Sequence, residues 1–174
     1  MSDAAFLALD LGTGSLKALI LSADGHAVLG VASAAYPLVS PYPEWSETDP
    51  RDWWAAVVEA TRRLLAESEV DPASVTGLVV SGQMMGAVLL DAQYEPVRPA
   101  IIWADTRSTA QTARLAASLG EEAAYRMLGH RLNPTYSVEK IMWVRDNEPD
   151  TWARVRHVCV AKDYIVQRLT GQLV

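Results

Sequence analysis

One carboxylate and a glycine-rich turn near the start of the chain are well suited to chemistry. Asp10 ends an apolar run, Gly12-Thr13-Gly14-Ser15 follow, and a second apolar run begins at Leu16. Successive backbone N–H groups in such a turn form a concave anion site. Proteins often hold Mg²⁺ through one or two carboxylates together with phosphates. The pattern therefore predicts a turn that binds nucleotide phosphates, with a metal ion beside Asp10.

A purely conformational role is the alternative for the same residues, because Asp and Gly dominate hairpin turns. Two common nucleotide motifs are absent from this stretch. It has neither the G-x-x-x-x-G-K-[ST] spacing of a Walker P-loop nor the G-x-G-x-x-G of a dinucleotide fingerprint.

Two later loops carry side chains that suit a sugar. Gly82–Gly86 and Trp103–Arg107 each follow an apolar run. Ligands of α/β sheets collect at the carboxyl ends of strands, so we expect these loops and the glycine turn around one cleft. Gln83 can donate and accept hydrogen bonds, Asp105 can accept from hydroxyls, and Trp103 offers a flat apolar face. This combination indicates polyol recognition.

Plainer roles are open for the same loops. Asp105 could be the N-cap of the following helix, and Arg107 could form a surface ion pair of little energetic value. Met84 and Met85 could fill the core.

Composition narrows the class of protein. The 174 residues include 50% hydrophobic residues, a net charge of −6 and no basic stripe, which argues against nucleic acid or an acidic membrane surface as a partner. One cysteine, Cys159, suits a reducing compartment. The three histidines lack metal-ligand spacing. From Met1-Ser2-Asp3 we expect no signal peptide, and we expect a cytoplasmic protein.

The order of elements predicts an α/β fold. An Asp24-Gly25 turn joins two apolar runs and completes a three-stranded antiparallel meander, whose first strand we expect to be covered on both faces. A helix from Pro50 to about Glu69 should lead by a right-handed crossover to a parallel strand at Val75–Ser81. The apolar stripe expected on this helix comprises Trp54, Val57, Val58, Thr61, Leu64 and Leu65.

Later segments continue the alternation of strands and helices. Prolines between Tyr36 and Thr48 argue against a regular ladder there. Further strands are predicted at 87–90 and 155–160, and helices at 106–119, 121–128, 137–147 and 161–169, with Ser137 as a cap. Gln172-Leu173-Val174 has the composition of another strand, so we expect the chain to be an excerpt.

Five motifs in order resemble the N-terminal part of an FGGY-type carbohydrate kinase, most like the xylulokinases. They are Asp10-Leu11-Gly12-Thr13-Gly14, Trp45-Ser46-Glu47 with Asp49-Pro50 and Trp53-Trp54, Ser81-Gly82-Gln83-Met84-Met85-Gly86, Trp103-Ala104-Asp105-Thr106-Arg107, and Lys162-Asp163-Tyr164. The resemblance covers almost the whole chain and implies an RNase H-like, actin-like ATPase fold. It also implies a mixed sheet, with the three-stranded meander, parallel strands and flanking helices.

The resemblance implies ATP, Mg²⁺ and a sugar as ligands. Asp10 is the implied metal ligand. The implied phosphate and ATP ligands are Gly12, Thr13, Gly14, Ser15 and Lys17. The implied sugar ligands are Gln83, Met84, Met85, Trp103 and Asp105. Met85 departs from the pattern, since xylulokinases usually have His there, and this leaves the sugar's identity open.

The family's catalytic base is an Asp beyond position 174, and most of the adenine site is also downstream. The resemblance therefore implies that residues 1–174 form an N-terminal domain, truncated before its last elements, without the C-terminal ATP-binding domain. We expect the chain alone to be inactive. A non-catalytic sugar-binding or regulatory module is one alternative, and an actin-like ATPase that modifies no sugar is another. Both a monomer and a homodimer are open.

Overall fold

The computed structural model describes residues 4–173, which divide into two compact units. The described part of the first unit covers residues 4–38, 50–83 and 161–173, and the second unit covers residues 39–49 and 84–160. Residues 1–3, on which the absence of a signal peptide was argued, lie outside the described residues. So does Val174 of the expected final strand, while Gln172 and Leu173 lie in neither strand nor helix.

A four-stranded mixed sheet forms the centre of the first unit. Its strands are β1 (Ala5–Leu11), β2 (Ser15–Ser22), β3 (Val28–Ala35) and β5 (Val75–Gly82), in the order β3-β2-β1-β5. The predicted antiparallel meander of β1, β2 and β3 is confirmed, as is the parallel pairing of β5 with β1. Because β1 and β5 run parallel, their carboxyl ends lie at the same edge of the sheet.

Helix α1 (Pro50–Glu67) packs on β2 and β3, and α6 (Ala161–Thr170) packs on β5 and α1. The expectation that β1 is covered on both faces is wrong. Its residues alternate between buried and more accessible, and Phe6 is 42% exposed. Val79 of β5, whose register partner on β1 is Ala8, is exposed as well. Within the described chain, one face of this sheet is therefore much better covered than the other.

The buried face of α1 differs from the predicted stripe. Trp53, Ala56, Val57, Ala60 and Leu64 are buried, whereas four members of the predicted stripe are only partly buried. Those four are Trp54, Val58, Thr61 and Leu65. The prediction failed because adjacent tryptophans leave the helical phase ambiguous by one residue, and alanine was not counted as apolar core.

The second unit contains two short antiparallel ladders and four helices. Strand β4 (Glu47–Thr48) pairs with β7 (Ala100–Ile101), and β6 (Val88–Leu90) pairs with β8 (His157–Cys159). The helices are α2 (Thr109–Leu119), α3 (Glu121–Leu128), α4 (Ser137–Asn147) and α5 (Pro149–Trp152). Leu89, Val97, Ile101 and Val144 form a buried apolar cluster between these elements.

Several local expectations for this unit need correction. The proline-containing connection does pair, although only through the two residues of β4 and an isolated bridge between Val39 and Glu47. Helix α2 begins three residues later than predicted, and Ser137 is the first residue of α4 rather than its cap. Its hydroxyl donates to the carbonyl of Gly86 at 2.8 Å instead. Within residues 4–173, no helix combines the length and apolarity needed to cross a membrane.

Candidate functional site

The glycine turn of the first unit connects β1 to β2 at the carboxyl end of β1. Gly12 N donates to Ser15 O at 3.0 Å, and a Cβ on Gly12 would lie only 3.1 Å from that oxygen. The close contact favours glycine at position 12, because a larger residue would have to push this oxygen away by a few tenths of an ångström. At Gly14, by contrast, an added Cβ would meet no protein atom within 4 Å, and the backbone does not need a positive φ. The protein itself gives no steric reason for glycine there.

Asp10 precedes this turn as an exposed carboxylate. Its register partners are Lys17 on β2 and Ser81 on β5. No hydrogen bond or ion pair within residues 4–173 uses the Asp10 carboxylate. The same residues hold no cluster of three or more potential metal-ligating side chains. A hard cation that keeps its waters and shares a phosphate needs only one or two protein carboxylates, so Asp10 fits such an ion.

Two side chains converge on the Gly12 carbonyl. Tyr36 Oη donates to it, and Gln83 Nε2 donates to it at 3.2 Å. Burial raises the pKa of the Tyr36 hydroxyl, and the negative charge of Asp10 acts in the same direction. Tyr36 thus remains a protonated donor. Sequence reasoning missed Tyr36, since a single tyrosine after a strand carries no pattern.

The loop Met84-Met85-Gly86 of the second unit lies against β7. A Cβ on Gly86 would lie 3.1 Å from the carbonyl oxygen of Ile101, so the two backbones approach closely. Met85 has a φ of 62°, a left-handed conformation that non-glycine residues seldom adopt. Met84 is 63% exposed and Trp103 is 42% exposed. The alternative of Met84 as core filler is therefore wrong.

Asp105 is completely buried and holds Arg107. Arg107 Nε lies 3.0 Å from Asp105 Oδ1 and 2.9 Å from Oδ2, and its Nη2 lies 2.6 Å from Oδ2. Ser46 N also donates to Oδ2 at 2.7 Å. Asp105 is not the N-cap, which is Ser108. The alternative of a surface ion pair for Arg107 is wrong as well, because Arg107 is only 7% exposed.

Arg107 joins a larger buried charge network. Its Nη2 lies 2.7 Å from Glu47 Oε1, which also accepts from Arg98, and Arg98 Nε pairs with Glu148 at 3.1 Å. The guanidinium carbon of Arg107 lies 3.5 Å from the ring centroid of Trp45. The stacking on Trp45 and the paired carboxylates together offset the desolvation cost of burying the Arg107 cation.

Lys140 and Glu139 are two further buried ionisable residues, both on α4. Lys140 Nζ donates to Pro134 O at 2.8 Å, and Ser108 Oγ donates to the same carbonyl. Burial lowers the pKa of Lys140 to about 8; Asp105 and Glu139 oppose the shift, and Arg107 reinforces it. Both oxygens of Glu139 are buried without a hydrogen-bond partner in the described chain. In the sequence, the only sign of these two residues was a pair of charged residues within an otherwise apolar stretch of the helix.

Comparison with known proteins decides the family. The model of the N-terminal domain of the FGGY family of carbohydrate kinases matches residues 5–174. The chain belongs to the FGGY family of carbohydrate kinases. Xylulose kinases from Escherichia coli and Streptomyces coelicolor are 33% and 38% identical to it, over 96% and 94% of this chain but only 34% and 33% of theirs. The chain thus spans about a third of these relatives.

Solved structures agree with this membership. A xylulose kinase from Rhodospirillum rubrum is 31% identical, with a TM-score of 0.91 over 98% of this chain and 35% of that one. A protein described as a xyloylose kinase from Brucella ovis is 39% identical, with a TM-score of 0.90 over 97% of this chain and 34% of that one. The expected actin-like ATPase fold of FGGY kinases is confirmed.

The predicted site residues of this FGGY chain fall into both units. In the first unit the structure brings Asp10, Gly12, Thr13, Gly14, Ser15 and Lys17 to one end of the β1–β2 hairpin, with Gln83 against the turn. The second unit holds Met84, Met85, Trp103 and Asp105. A single cleft lined by all of them stays a prediction.

Replacing Arg107 with methionine should destabilise the chain strongly, because the buried Asp105 carboxylate would lose its cation and keep only the backbone N–H groups of residues 46 and 107 as donors. We expect a loss of about 3–5 kcal/mol in the free energy of unfolding, measured by urea titration. Arg126→Met is the matched control, since Arg126 pairs with Glu122 on an exposed face of α3 and should change stability little. Equal losses in the two variants would contradict this energetic role for the buried network.

Lys140 should make stability depend on alkaline pH. The folded amine loses its proton near pH 8, whereas an unfolded lysine keeps it to about pH 10.4. Between these values the unfolded state binds more protons, so the free energy of unfolding rises with pH. The wild type should therefore gain stability relative to Lys140→Met from pH 8 to pH 10 in urea titrations. A constant or falling difference would contradict the lowered pKa.

Proposed function

We propose that this chain is the sugar-binding and phosphate-contacting part of an ATP-dependent carbohydrate kinase. The longer protein would transfer the γ-phosphate of ATP to a hydroxyl of D-xylulose or a related ketose or polyol. The observation that carries the proposal is the open space over Gly14, next to the exposed carboxylate of Asp10. A glycine that the fold does not require sterically is what a close approach by a phosphate group would require.

The phosphate side of the proposal rests on the glycine turn. Gly12, Thr13, Gly14 and Ser15 would receive the terminal phosphates of ATP, with the ammonium of Lys17 on the adjacent strand as a counter-charge. Asp10 would hold Mg²⁺, which supplies charge neutralisation on the phosphates when it is bound. The protein contribution to phosphoryl transfer is mainly positioning and electrostatic stabilisation, and these groups provide both.

The sugar side rests on the second unit. Met84, Met85 and Trp103 would form the apolar face against which the C–H groups of a sugar pack. Asp105 was also predicted to bind the sugar. Its two oxygens already accept from Arg107 and Ser46, so we assign Asp105 the role of holding the Trp103–Arg107 loop. The names of the relatives, xylulose kinases, support a ketose as substrate.

No residue of this chain is assigned as the catalytic base. The Gln83, Met84 and Trp103 side chains cannot accept a proton, Asp105 is engaged in a buried ion pair, and Asp10 is assigned to Mg²⁺. We therefore propose that the base, like the adenine site, is supplied outside these 174 residues, and that the chain alone does not turn over. A cytoplasmic location, and the choice between monomer and homodimer, stay predictions.

The test is to replace Gly14 with alanine in the longest polypeptide that contains this chain. The polypeptide is assayed with Mg·ATP and a panel of ketoses and polyols. Phosphorylation of a ketose by the wild type is expected. In Gly14→Ala we expect at least about a tenfold loss of kcat/KM for ATP, because the added methyl group occupies the space proposed for phosphate. The melting temperature should stay nearly unchanged.

Gly30→Ala is the reverse control. A Cβ there would lie 2.9 Å from Leu64 Cδ1, so this variant should lose stability while keeping its KM for ATP. Sugar binding without turnover by the wild type would favour a non-catalytic sugar-binding module. Full activity of Gly14→Ala would refute the phosphate turn, and turnover by the 174 residues alone would refute the external base.

A further inference from the structure

The carbonyl oxygen of Gly12 accepts from two side chains that come from distant parts of the first unit. Tyr36 follows β3, and Gln83 follows β5. Tyr36 Oη and Gln83 Nε2 are both within hydrogen-bond distance of this one oxygen. The turn between β1 and β2 is thus held by groups that lie on either side of the hairpin in the sheet order.

The main chain of the same two residues also bonds to this region. Tyr36 N donates to Gly14 O at 3.2 Å, and Gln83 N donates to Leu11 O at 2.9 Å. Each residue therefore makes one backbone and one side-chain hydrogen bond to residues 11–14. Inside the turn, Gly12 N donates to Ser15 O at 3.0 Å. Tyr36 and Gln83 together add four hydrogen bonds that tie residues 11–14 to the ends of β3 and β5.

Burial makes this arrangement stiff. Tyr36 is only 7% exposed, and the Oε1 of Gln83 is buried without a hydrogen-bond partner in the described chain. A buried donor that loses its acceptor is left unsatisfied, which is costly because water cannot take the acceptor's place. The Tyr36 hydroxyl bonds to Gly12 and leaves the nearby Asp10 carboxylate unengaged.

We propose that Tyr36 and Gln83 form a two-donor clamp on the Gly12 carbonyl that fixes the phosphate turn for transfer. Both are positioning residues, and the inference rests on the proposed kinase function. It reassigns Gln83, which sequence reasoning placed among the sugar ligands. Its amide nitrogen is committed to the turn, and its amide oxygen is out of reach of solvent.

The first test measures the turn without any enzyme assay. Amide hydrogen exchange of the longest polypeptide that contains this chain is compared for the wild type, Tyr36→Phe and Gln83→Met. Exchange at Gly12 N, Tyr36 N and Gln83 N should be about 2- to 10-fold faster in each variant, as expected for the loss of one neutral hydrogen bond. Exchange in α1 should not change. Tyr125→Phe and Gln93→Met, at exposed positions, should leave the turn unaffected.

The second test separates transfer from sugar binding in the longest polypeptide that contains the chain. Each clamp variant should lower kcat by about 2- to 10-fold, with the KM for the sugar within twofold of the wild type. The double variant should lose more than the product of the single losses, because it leaves the part-buried Gly12 carbonyl with no side-chain donor.

Two outcomes would overturn the clamp. One is unchanged exchange in the turn of both single variants. The other is a Gln83→Met variant whose sugar KM rises tenfold with kcat intact, which would make Gln83 a sugar ligand. If the polypeptide proves not to be a kinase, the exchange experiment still decides whether the clamp orders the turn, so the two proposals fail separately.

Discussion

The first unit depends on the two-sided pairing of β1. Its antiparallel register with β2 places Asp10 opposite Lys17, and its parallel register with β5 places Leu11 opposite Gly82. The second pairing is unusually close, since a Cβ on Gly82 would lie 2.9 Å from Leu11 Cβ. Because β5 must end in this contact, the next residue, Gln83, reaches the glycine turn. The strand register thus delivers a carboxylate, a lysine and an amide to one end of the sheet.

The second unit depends on charge compensation. Asp105, Arg107, Arg98 and Glu47 are all nearly inaccessible to solvent. Burying one such charged group without a partner is costly, and the cost is offset only when each group pairs with an opposite charge. The network ties β4 to the loop after β7, two short segments that a two-residue ladder alone would hold weakly. In the second unit, ion pairs therefore hold these segments together, whereas in the first unit longer backbone ladders hold the strands together.

Most of the fold could be predicted from the sequence, because strong local signals agreed with one another. The Asp24-Gly25 turn, the proline at the start of α1, and Gly120, Gly129 and Gly171 after helices each correspond to an observed boundary. Errors arose where tertiary contacts decide. The phase of α1 was ambiguous between Trp53 and Trp54, and β4 forms because β7 and Val39 lie beside it.

The candidate site was predictable in composition but not in contacts. Residue types located the glycine turn, Trp103 and Asp105, since these side chains are informative by themselves. They could not show that Asp105 is sealed against Arg107, or that Gln83 bonds to the turn, because both facts depend on partners distant in the sequence. Sequence reasoning missed Tyr36 and Lys140 for the same reason, since neither residue is part of a local sequence pattern.

The measurement that tests the account most directly is a hydrogen-exchange map of the longest polypeptide that contains this chain, with and without its ligands. We predict that Mg·ATP protects the amides of residues 10–17, and that D-xylulose or a related ketose protects peptides containing Met84, Met85 and Trp103. Protection of neither set at saturating ligand would contradict the assignment of the two ligand-binding regions, whatever the activity of the protein.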